Sequence, residues 1–329
     1  MNSQKKIVLT EPMPLVQDEL SILEKEAQVE LIRSTDHDLV MSKAKDADVL
    51  MVVYAKVTGD IIENASRLKG IIKYGVGVDN IDVRKASENG VIVANVPDYA
   101  IETVADHAMG LLLTLARKIM ISDRVMRARA WGNWASPPNS LLGIDLKGKT
   151  LGLVGIGRIG KAVAERAQSF GMKVTASDPY VSEEMAREMR VDLQPFDEVI
   201  GRSDFISLHS PLTDETKGII NAKTISKMKA GVFIINTARG PLIEHTDLVN
   251  ALREGRVGGA ALDVFQKEPP QLDDPIFSLA NVVLTPHIAW YTSEALRRLE
   301  MTAARQAVEI LNGEIPTNSV NRNKISRVK

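Results

Sequence analysis

Three segments in the second half of the sequence change from an apolar, β-branched run to polar residues that could do chemistry. These segments are residues 236–240, 263–269 and 285–290. They contain Arg239, Glu268 and His287. In a doubly wound parallel sheet, the carboxyl ends of the strands line the ligand crevice. We therefore expect these three side chains to meet at one edge of a sheet.

An imidazole, a carboxylate and a guanidinium together suit hydride transfer between a hydroxy acid and a nicotinamide. His287 is the candidate base, because imidazole titrates near physiological pH, and Glu268 could hydrogen-bond its other ring nitrogen. Arg239 could bind a substrate carboxylate through two parallel N–H groups, which a lysine would not reproduce. Taken singly, each has a plainer interpretation: a buried hydrogen-bonded histidine, a surface acid, and a cap near Gly240.

A glycine turn follows the apolar run at residues 151–154 and precedes a helical pattern. The turn reads Gly155-Ile156-Gly157-Arg158-Ile159-Gly160. Glycines of this spacing let the backbone turn tightly, approach a pyrophosphate and pack a helix on a strand. Asp178 ends the next apolar run at the offset expected for the acid that binds ribose hydroxyls, and no arginine follows it at once, which favours NAD over NADP. The alternative is a structural glycine turn with an incidental aspartate.

Short β-branched runs alternate with helical patterns along the chain, which is typical of parallel βαβ architecture. The predicted strands are residues 7–9, 49–53, 91–94, 151–154, 174–177, 205–208, 232–235 and 282–284. A helix predicted at 101–119 is apolar nearly all round and should be covered on most sides, in the core or at a subunit contact. A second helix is predicted at 293–311, ended by Asn312-Gly313. Between the two, residues 127–149 form a loop-rich arm with Trp131 and Trp134.

Composition excludes several classes of function. Hydrophobic residues make up 44% and charged residues 25% of 329 residues, which indicates a globular chain of two domains. A net charge of -1 gives no basic field for nucleic acid or an anionic membrane. There are no cysteines, and none of the five histidines lies in a metal-ligand cluster, so we expect no metal. No signal peptide or membrane span is evident, which favours the cytoplasm.

The motifs of this chain and their order along the sequence resemble those of the D-isomer-specific 2-hydroxyacid dehydrogenase family. The resemblance covers nearly the whole chain. The matching segments are residues 73–82, 155–160, 208–213, 236–240, 268–269 and 285–287. The resemblance implies Arg239, Glu268 and His287 as the catalytic set, with Asp263 near the nicotinamide amide.

The resemblance also implies two binding sets. The cofactor set comprises Gly155, Gly157, Arg158, Ile159, Gly160, Asp178, His209, Pro211, Thr216, Thr237, Ala238, Arg239, Asp263 and His287. The substrate set comprises Tyr54, Lys73, Gly75, Val76, Gly77, Arg239, His287 and Trp290. Within it, the backbone from Gly75 to Gly77 is expected to contact the substrate carboxylate.

Tyr54, Lys73 and the stretch after His287 look closest to the C-terminal-binding-protein-like and phosphoglycerate-dehydrogenase-like branch, where a tryptophan at position 290 walls the substrate pocket. The chain departs from that branch by carrying Lys73 where an arginine is usual. A lysine offers a point charge instead of a fork, so Lys73 either touches substrate or is a solvated surface lysine.

The layout that the resemblance implies is α/β: two doubly wound parallel-sheet domains, with a Rossmann NAD domain (100–291) inserted into a flavodoxin-like substrate domain (1–99 and 292–329). The two crossings would form a hinge that closes over the substrate. We also expect the apolar helix from Ile101 and the tryptophan arm to form a homodimer contact.

The favoured function is oxidoreduction between NAD(H) and a small 2-hydroxy acid/2-oxo acid pair. A second class of function is an NAD(H)-sensing, dimeric, corepressor-like interaction protein with incidental dehydrogenase activity. A third is another Rossmann enzyme, such as a sugar-acid or amino-acid dehydrogenase. The complete catalytic set favours the first.

Overall fold

Short apolar runs of the sequence form two parallel sheets with helices against their faces. The structure is a computed structural model, and it describes residues 4–11, 13, 16–132 and 138–325. The chain divides into two compact units. The first unit is Met1–Ala100 with Tyr291–Lys329, and the second unit is Ile101–Trp290.

The first unit contains a five-stranded parallel sheet of order β2-β1-β3-β4-β5 in the described residues. Its strands are β1 (Lys6–Leu9), β2 (Gln28–Leu31), β3 (Val49–Val52), β4 (Gly70–Lys73) and β5 (Ile92–Ala94). Its helices are α1 (Val16–Leu23), α2 (His37–Ala44), α3 (Gly59–Asn64), α4 (Val83–Glu88) and α12 (Ser293–Leu311). Helices α1 and α12 pack against each other, and α12 lies on β3 and β4.

The second unit contains a seven-stranded parallel sheet of order β12-β11-β10-β9-β6-β7-β8 in the described residues. Its strands are β6 (Thr150–Val154), β7 (Lys173–Ser177), β8 (Asp192–Leu193), β9 (Phe205–Leu208), β10 (Val232–Asn236), β11 (Val257–Leu262) and β12 (Val282–Leu284). Its helices are α5 (Ile101–Ala116), α6 (Ile119–Arg127), α7 (Arg158–Ser169), α8 (Glu183–Glu188), α9 (Phe196–Arg202), α10 (Ala222–Lys227) and α11 (His245–Arg253). Short 3-10 turns lie at Asn139–Leu141, Gly240–Leu242 and Pro275–Ser278, and in the first unit at Arg322–Lys324.

The central strands of the second sheet are buried on both faces, which explains why they read as unbroken apolar runs. One core cluster packs α5 and α7 on one face, and another packs α9, α10 and α11 on the other. With both faces covered, polar side chains are left to the strand ends. Parallel strands bring those ends to the same edge, where the predicted site residues follow β6, β7, β9, β10, β11 and β12.

The predicted helix at 101–119 is two helices in the structure. Helix α5 ends at Ala116, and Lys118 adopts a left-handed conformation with φ 55 before α6 begins. In this conformation the Lys118 ammonium lies 5.4 Å from the ring centroid of Phe233, which is within the range of a cation–π interaction. Helix α5 packs on α7, where Arg166 binds Glu102 and Asp106 at 2.7 and 2.6 Å. The apolar positions of α5 are therefore buried within its own unit.

The strand orders confirm the predicted fold class. In the first unit the order is that of a flavodoxin-like sheet, and in the second it is the Rossmann order extended by one strand. Trp131 is exposed, whereas Trp134 lies outside the described residues. In the described part of the chain, no helix combines the length and apolar character needed to cross a bilayer.

Phe205 provides a test of the second core. It is fully buried and stacks on Phe233, with ring centroids 5.2 Å apart. We expect Phe205→Ala to lower the free energy of unfolding by about 3–5 kcal/mol, because it leaves a cavity between sheet and helix. The exposed Phe170 is the matched control, and Phe170→Ala should cost less than about 1 kcal/mol. Urea unfolding followed by circular dichroism measures both, and equal losses would contradict this packing.

Candidate active site

The glycine turn after β6 has the geometry that a dinucleotide requires. Gly155 has φ +89, and a Cβ there would lie 2.7 Å from the amide nitrogen of Ser210. A Cβ on Gly160 would lie 2.5 Å from the carbonyl oxygen of Gly155. Helix α7 begins directly after Gly157, which offers no side-chain cap, and Arg158, Ile159 and Gly160 form its first turn. The positive end of this 12-residue helix can therefore accept an anion such as a pyrophosphate.

Asp178 lies beside this turn, at the carboxyl end of β7. Its Oδ2 accepts a hydrogen bond from the Ile156 amide at 2.9 Å, and its Oδ1 accepts one from the Tyr180 amide at 2.9 Å. These two bonds fix the carboxylate next to the glycine turn. An acid so placed can still accept from ribose hydroxyls, because each carboxylate oxygen has a second lone pair.

Two buried hydroxyls follow the neighbouring strands. Ser210 Oγ and Thr237 Oγ1 are buried and have no hydrogen-bond partner among the described residues. They follow β9 and β10, which are adjacent in the sheet, and β9 is also adjacent to β6. Buried polar groups are rarely left unsatisfied, so this edge is suited to a polar ligand. In the loop after β9, Thr216 Oγ1 donates to the Pro211 carbonyl at 2.7 Å and so braces the backbone that carries Ser210.

His287 and Glu268 form a hydrogen-bonded pair in the second unit. His287 Nδ1 lies 2.6 Å from Glu268 Oε2, and Glu268 Oε1 accepts from the Phe265 amide at 2.9 Å. Burial raises the pKa of Glu268, but its hydrogen bonds from His287 and the Phe265 amide outweigh burial and hold that pKa below its ordinary value. Glu268 is therefore ionised at neutral pH and fixes the orientation of the imidazole through Nδ1.

Arg239 lies close enough to lower the pKa of Glu268 further by its charge. It follows β10, where Asn236 Nδ2 donates to the Arg239 carbonyl at 2.8 Å and the Ala238 amide donates to Asn236 Oδ1 at 3.0 Å. The next residue is Gly240, and a Cβ there would lie 2.0 Å from the carbonyl carbon of Phe265. The Arg239 and Glu268 loops can approach each other only because position 240 has no side chain.

Asp263 holds the turn that presents His287. It is fully buried, and its carboxylate accepts from Thr285 Oγ1 at 2.6 Å and from the Ile288 and Ala289 amides at 2.9 Å each. His107 on α5 reaches the same Thr285 hydroxyl at 3.1 Å, so it is a hydrogen-bonded helix histidine. The carboxylate of Asp263 thus serves the 285–289 turn in this structure.

His287 itself adopts φ 53, which is unusual for a residue with a side chain. Its amide donates to the carbonyls of Asp263 at 2.8 Å and Thr285 at 3.0 Å, and its own carbonyl accepts from Trp290 Nε1 at 2.9 Å. The backbone strain is compensated by these bonds. Trp290 is thereby fixed to the same turn as the imidazole.

The other predicted substrate residues belong to the first unit. Gly75 has φ +134, and its carbonyl accepts from the Val96 amide at 2.9 Å. The Val76 carbonyl accepts from Asn95 Nδ2 at 2.6 Å. Because a trans peptide carries its N–H opposite its carbonyl, the amides of Val76 and Gly77 face away from Asn95 and Val96. This loop can offer both amides to an anion.

Tyr54 and Lys73 lie near each other at the ends of β3 and β4. The amides of Val53, Tyr54 and Ala55 donate to the carboxylate of Glu11 at 3.2, 2.8 and 2.8 Å. Lys73 Nζ donates to the Val53 carbonyl. The exposed Tyr54 side chain therefore sits on a loop whose backbone is already fixed by an acid from the end of β1.

Sequence reasoning missed Glu11 and Asn95. Both directly follow or closely follow a strand of the first sheet, β1 and β5, as the predicted site residues do in the second. Applying the same strand-end rule to both sheets would have found them. Neither side chain carries a motif of its own, so nothing in the sequence distinguishes them from ordinary loop residues.

The fold and the site define an NAD-binding α/β chain, and comparison with known proteins gives its family. Residues 109–289 match the D-isomer specific 2-hydroxyacid dehydrogenase, NAD binding domain. The chain belongs to the D-isomer specific 2-hydroxyacid dehydrogenase family, which confirms the resemblance seen in the sequence and the predicted cofactor.

Proteins that are similar over nearly the whole chain carry three different enzyme names. The chain is 43% identical to the D-3-phosphoglycerate dehydrogenase of Methanocaldococcus jannaschii, covering 98% of this chain and 61% of that protein. It is 38% identical to the glyoxylate reductase of Pyrococcus furiosus, covering 97% of this chain and 96% of that protein. The solved D-lactate dehydrogenase of Aquifex aeolicus, complexed with NAD and lactic acid, matches with a TM-score of 0.87 and 31% identity over 95% of this chain and 98% of that one.

His209 makes folding stability depend on pH. Burial lowers the pKa of His209 to about 4, and Ser207 Oγ lies 2.8 Å from its Nε2. Between about pH 6.5 and about pH 4, this histidine is protonated in the unfolded chain but neutral in the folded chain. The free energy of unfolding therefore falls as the pH drops through this range. We expect His209→Gln to flatten the plot of unfolding free energy against pH in that window, by a total of about 3 kcal/mol.

Chemical denaturation at a series of pH values measures this difference. His37→Gln is the control. Hydrogen bonding to Asp38, with the charge of Asp60, raises the pKa of this exposed histidine, whereas the pKa of His209 is lowered. A His209→Gln profile parallel to that of the parent would show that the folded protein protonates His209 normally.

Proposed function

We propose that the chain catalyses reversible, NAD-dependent reduction of a small 2-oxo acid to the D-2-hydroxy acid. The observation that carries the proposal is the 2.6 Å contact of His287 Nδ1 with Glu268 Oε2, in the unit that also holds the dinucleotide-binding turn. The relatives named above are dehydrogenases and a reductase, and they give no support to the corepressor-like alternative.

The second unit would hold the cofactor. The first turn of α7 would bind the pyrophosphate, and Asp178 would bind the adenosine ribose and repel a 2′-phosphate. The strand ends with His209, Ser210 and Thr237 would line the rest of the cofactor. When bound, NAD(H) supplies or accepts the hydride of the reaction.

His287 and Glu268 handle the proton. In the direction of reduction, protonated His287 donates from Nε2 to the substrate carbonyl oxygen, which becomes the hydroxyl of the product. In the direction of oxidation, neutral Nε2 takes that proton back. The ionised Glu268 holds Nδ1 as the donor throughout and stabilises the imidazolium, so the proton always moves at Nε2.

The guanidinium of Arg239 and two neutral backbone amides would bind the negative charge of the substrate. The Arg239 guanidinium suits the carboxylate and the polarised carbonyl, because its fork matches two oxygens. In the first unit, the Val76 and Gly77 amides suit the same carboxylate. The substituent that the substrate carries at C3 would be selected by Lys73, Tyr54 and Trp290. We propose that these three side chains distinguish a phosphorylated substrate from a small one.

Loss of the proton pair should remove turnover. Initial rates of NADH oxidation with glyoxylate, pyruvate, 2-oxobutyrate and 3-phosphohydroxypyruvate identify the best substrate. On it, we expect His287→Ala to lower kcat/KM by about 10²- to 10⁴-fold, because the proton donor is lost. Glu268→Gln should cost about 10- to 100-fold, because the imidazolium keeps its place but loses its counter-charge.

The control is Glu165→Gln, which changes an exposed acid on α7 and should leave the rates unchanged. NADH binding measured by fluorescence should be retained by all three variants. A His287→Ala protein that turns over normally would refute the proton assignment, and a parent inactive on every 2-oxo acid would refute the proposed reaction.

We further propose a homodimer formed through α6 and the arm after it. Helix α6 buries none of its side chains, and it leaves Ile119 52% and Met126 49% exposed, with Trp131 55% exposed nearby in sequence. Apolar surface of this kind is typical of an interface. The structure buries the apolar positions of α5 within the second unit, so α6 replaces α5 as the expected contact. A cytoplasmic location stays a prediction.

Sedimentation velocity tests the dimer. We expect a dimer at micromolar concentration for the parent and a monomer for Ile119→Glu/Met126→Glu, because two charges would have to be desolvated at each contact. Phe277→Glu changes a similarly exposed apolar residue elsewhere and should leave the dimer intact. A monomeric parent would rule out this interface.

A further inference from the structure

A buried acidic cluster in the first unit has no part in the proposed chemistry. Glu19 on α1 is 0% exposed, and Glu300 on α12 is 1% exposed. The buried Tyr74 hydroxyl donates to Glu19 Oε1 and lies 4.0 Å from Met51 Sδ. A buried carboxylate costs folding free energy unless it is paired. Placing the carboxyl group of Glu19 in this core therefore has a cost that an apolar residue would avoid.

The charge state of the cluster favours a neutral hydrogen bond. Burial raises the pKa of Glu19 to about 8 against the opposing hydrogen bond from Tyr74, and the charge of Glu300 adds to the rise. Burial also raises the pKa of Tyr74 well above its ordinary value. At neutral pH the Tyr74 hydroxyl is therefore the donor and Glu19 is largely protonated.

Tyr74 is the residue that leads into the Gly75–Gly77 loop. Its amide donates to the Val52 carbonyl at 2.9 Å, which continues the pairing of β4 with β3 by one residue. The far side of the loop is held by Asn95, whose carbonyl accepts from Gln306 Nε2 of α12 at 3.0 Å. The bond from Tyr74 to Glu19 is the corresponding anchor on the near side. Without it, the Tyr74 hydroxyl would be left with the weaker contact to Met51 Sδ at 4.0 Å.

We propose that Glu19, acting through the Tyr74 hydroxyl, is a positioning residue for the Val76 and Gly77 amides that bind the substrate carboxylate. The proposal rests on the proposed function of that loop. Glu19 does not touch the substrate. Its hydrogen bond restricts the rotation of the Tyr74 side chain and thereby fixes the plane of the peptide bond between Tyr74 and Gly75. The orientation of that peptide determines the direction in which the Val76 and Gly77 amides point.

Four variants separate positioning from simple support of the core. Tyr74→Phe and Glu19→Leu each remove one partner, Tyr74→Phe/Glu19→Leu removes both, and Glu19→Gln keeps a neutral acceptor for the hydroxyl. Losing one partner leaves a buried polar group unpaired, whereas losing both restores an apolar contact, so the double variant should recover most of the stability. Stability and substrate binding can then be compared in the same proteins.

We expect both single variants and the double variant to raise KM for the best 2-oxo acid about five- to tenfold, with kcat changed less than about twofold. Glu19→Gln should stay within about twofold of the parent, and the Kd for NADH should be constant across the set. If the double variant recovers KM together with stability, or if Tyr74→Phe leaves KM unchanged, the pair supports the core only and the proposal is overturned.

Hydrogen–deuterium exchange of the unliganded protein tests the same proposal without turnover. The peptide spanning residues 74–78 should exchange about tenfold faster in Tyr74→Phe and in the double variant, and at the parent rate in Glu19→Gln. Unchanged exchange in the double variant overturns the positioning role. A parent inactive on every 2-oxo acid refutes the proposed function, whereas this exchange result still decides whether Glu19 holds the loop.

Discussion

The carboxylate of Asp263 is the acceptor on which the arrangement of the proposed catalytic pair depends. It takes three donors from one turn, and that turn carries His287 at a backbone angle few side chains adopt. The imidazole is thereby placed where Glu268 can bind Nδ1. Gly240 completes the arrangement, because only glycine lets the Arg239 loop approach the Phe265 backbone. A buried acid and a missing Cβ together determine where the side chains of Arg239, Glu268 and His287 lie.

The two loops at the ends of β3 and β4 differ in whether their backbone amides are already hydrogen-bonded to a carboxylate of the chain. The amides of residues 53–55 are already bound to the carboxylate of Glu11, so that loop is closed to an external anion. The neighbouring loop has its carbonyls held by Asn95 and Val96, which turns the amides of Val76 and Gly77 outward. Glu11 thus occupies the amides of the first loop, which supports our proposal that the second loop binds the substrate carboxylate.

Much of the fold followed from the sequence because buried parallel strands are strongly apolar. The bounds of β9, β12 and α12 were predicted to the residue. Strand β11 was missed because its glycines interrupt the run of β-branched residues that is typical of a strand. A Cβ on Gly258 would lie 2.5 Å from the Gly231 carbonyl oxygen, so packing excludes a β-branched residue there. Edge strand β2 was missed because it is polar and half-exposed.

The site was predictable where ordered motifs carried it and not where distant residues meet. His287 and Glu268 follow strand ends, whereas Glu19 lies on α1 and Tyr74 follows β4, 55 residues further along the chain. No local periodicity in the sequence predicts a contact between positions so far apart.

The discontinuous first unit has a consequence for synthesis on the ribosome. Helix α12 covers β3 and β4, and Asn321 Oδ1 accepts a hydrogen bond from the Val93 amide at 2.9 Å, so this sheet is completed by residues that are translated after the second unit. The second unit is continuous and can fold as soon as Trp290 has emerged. The nascent chain therefore carries an uncovered apolar sheet until the whole second unit and α12 have been synthesised, and exposed apolar surface of this kind is prone to aggregation.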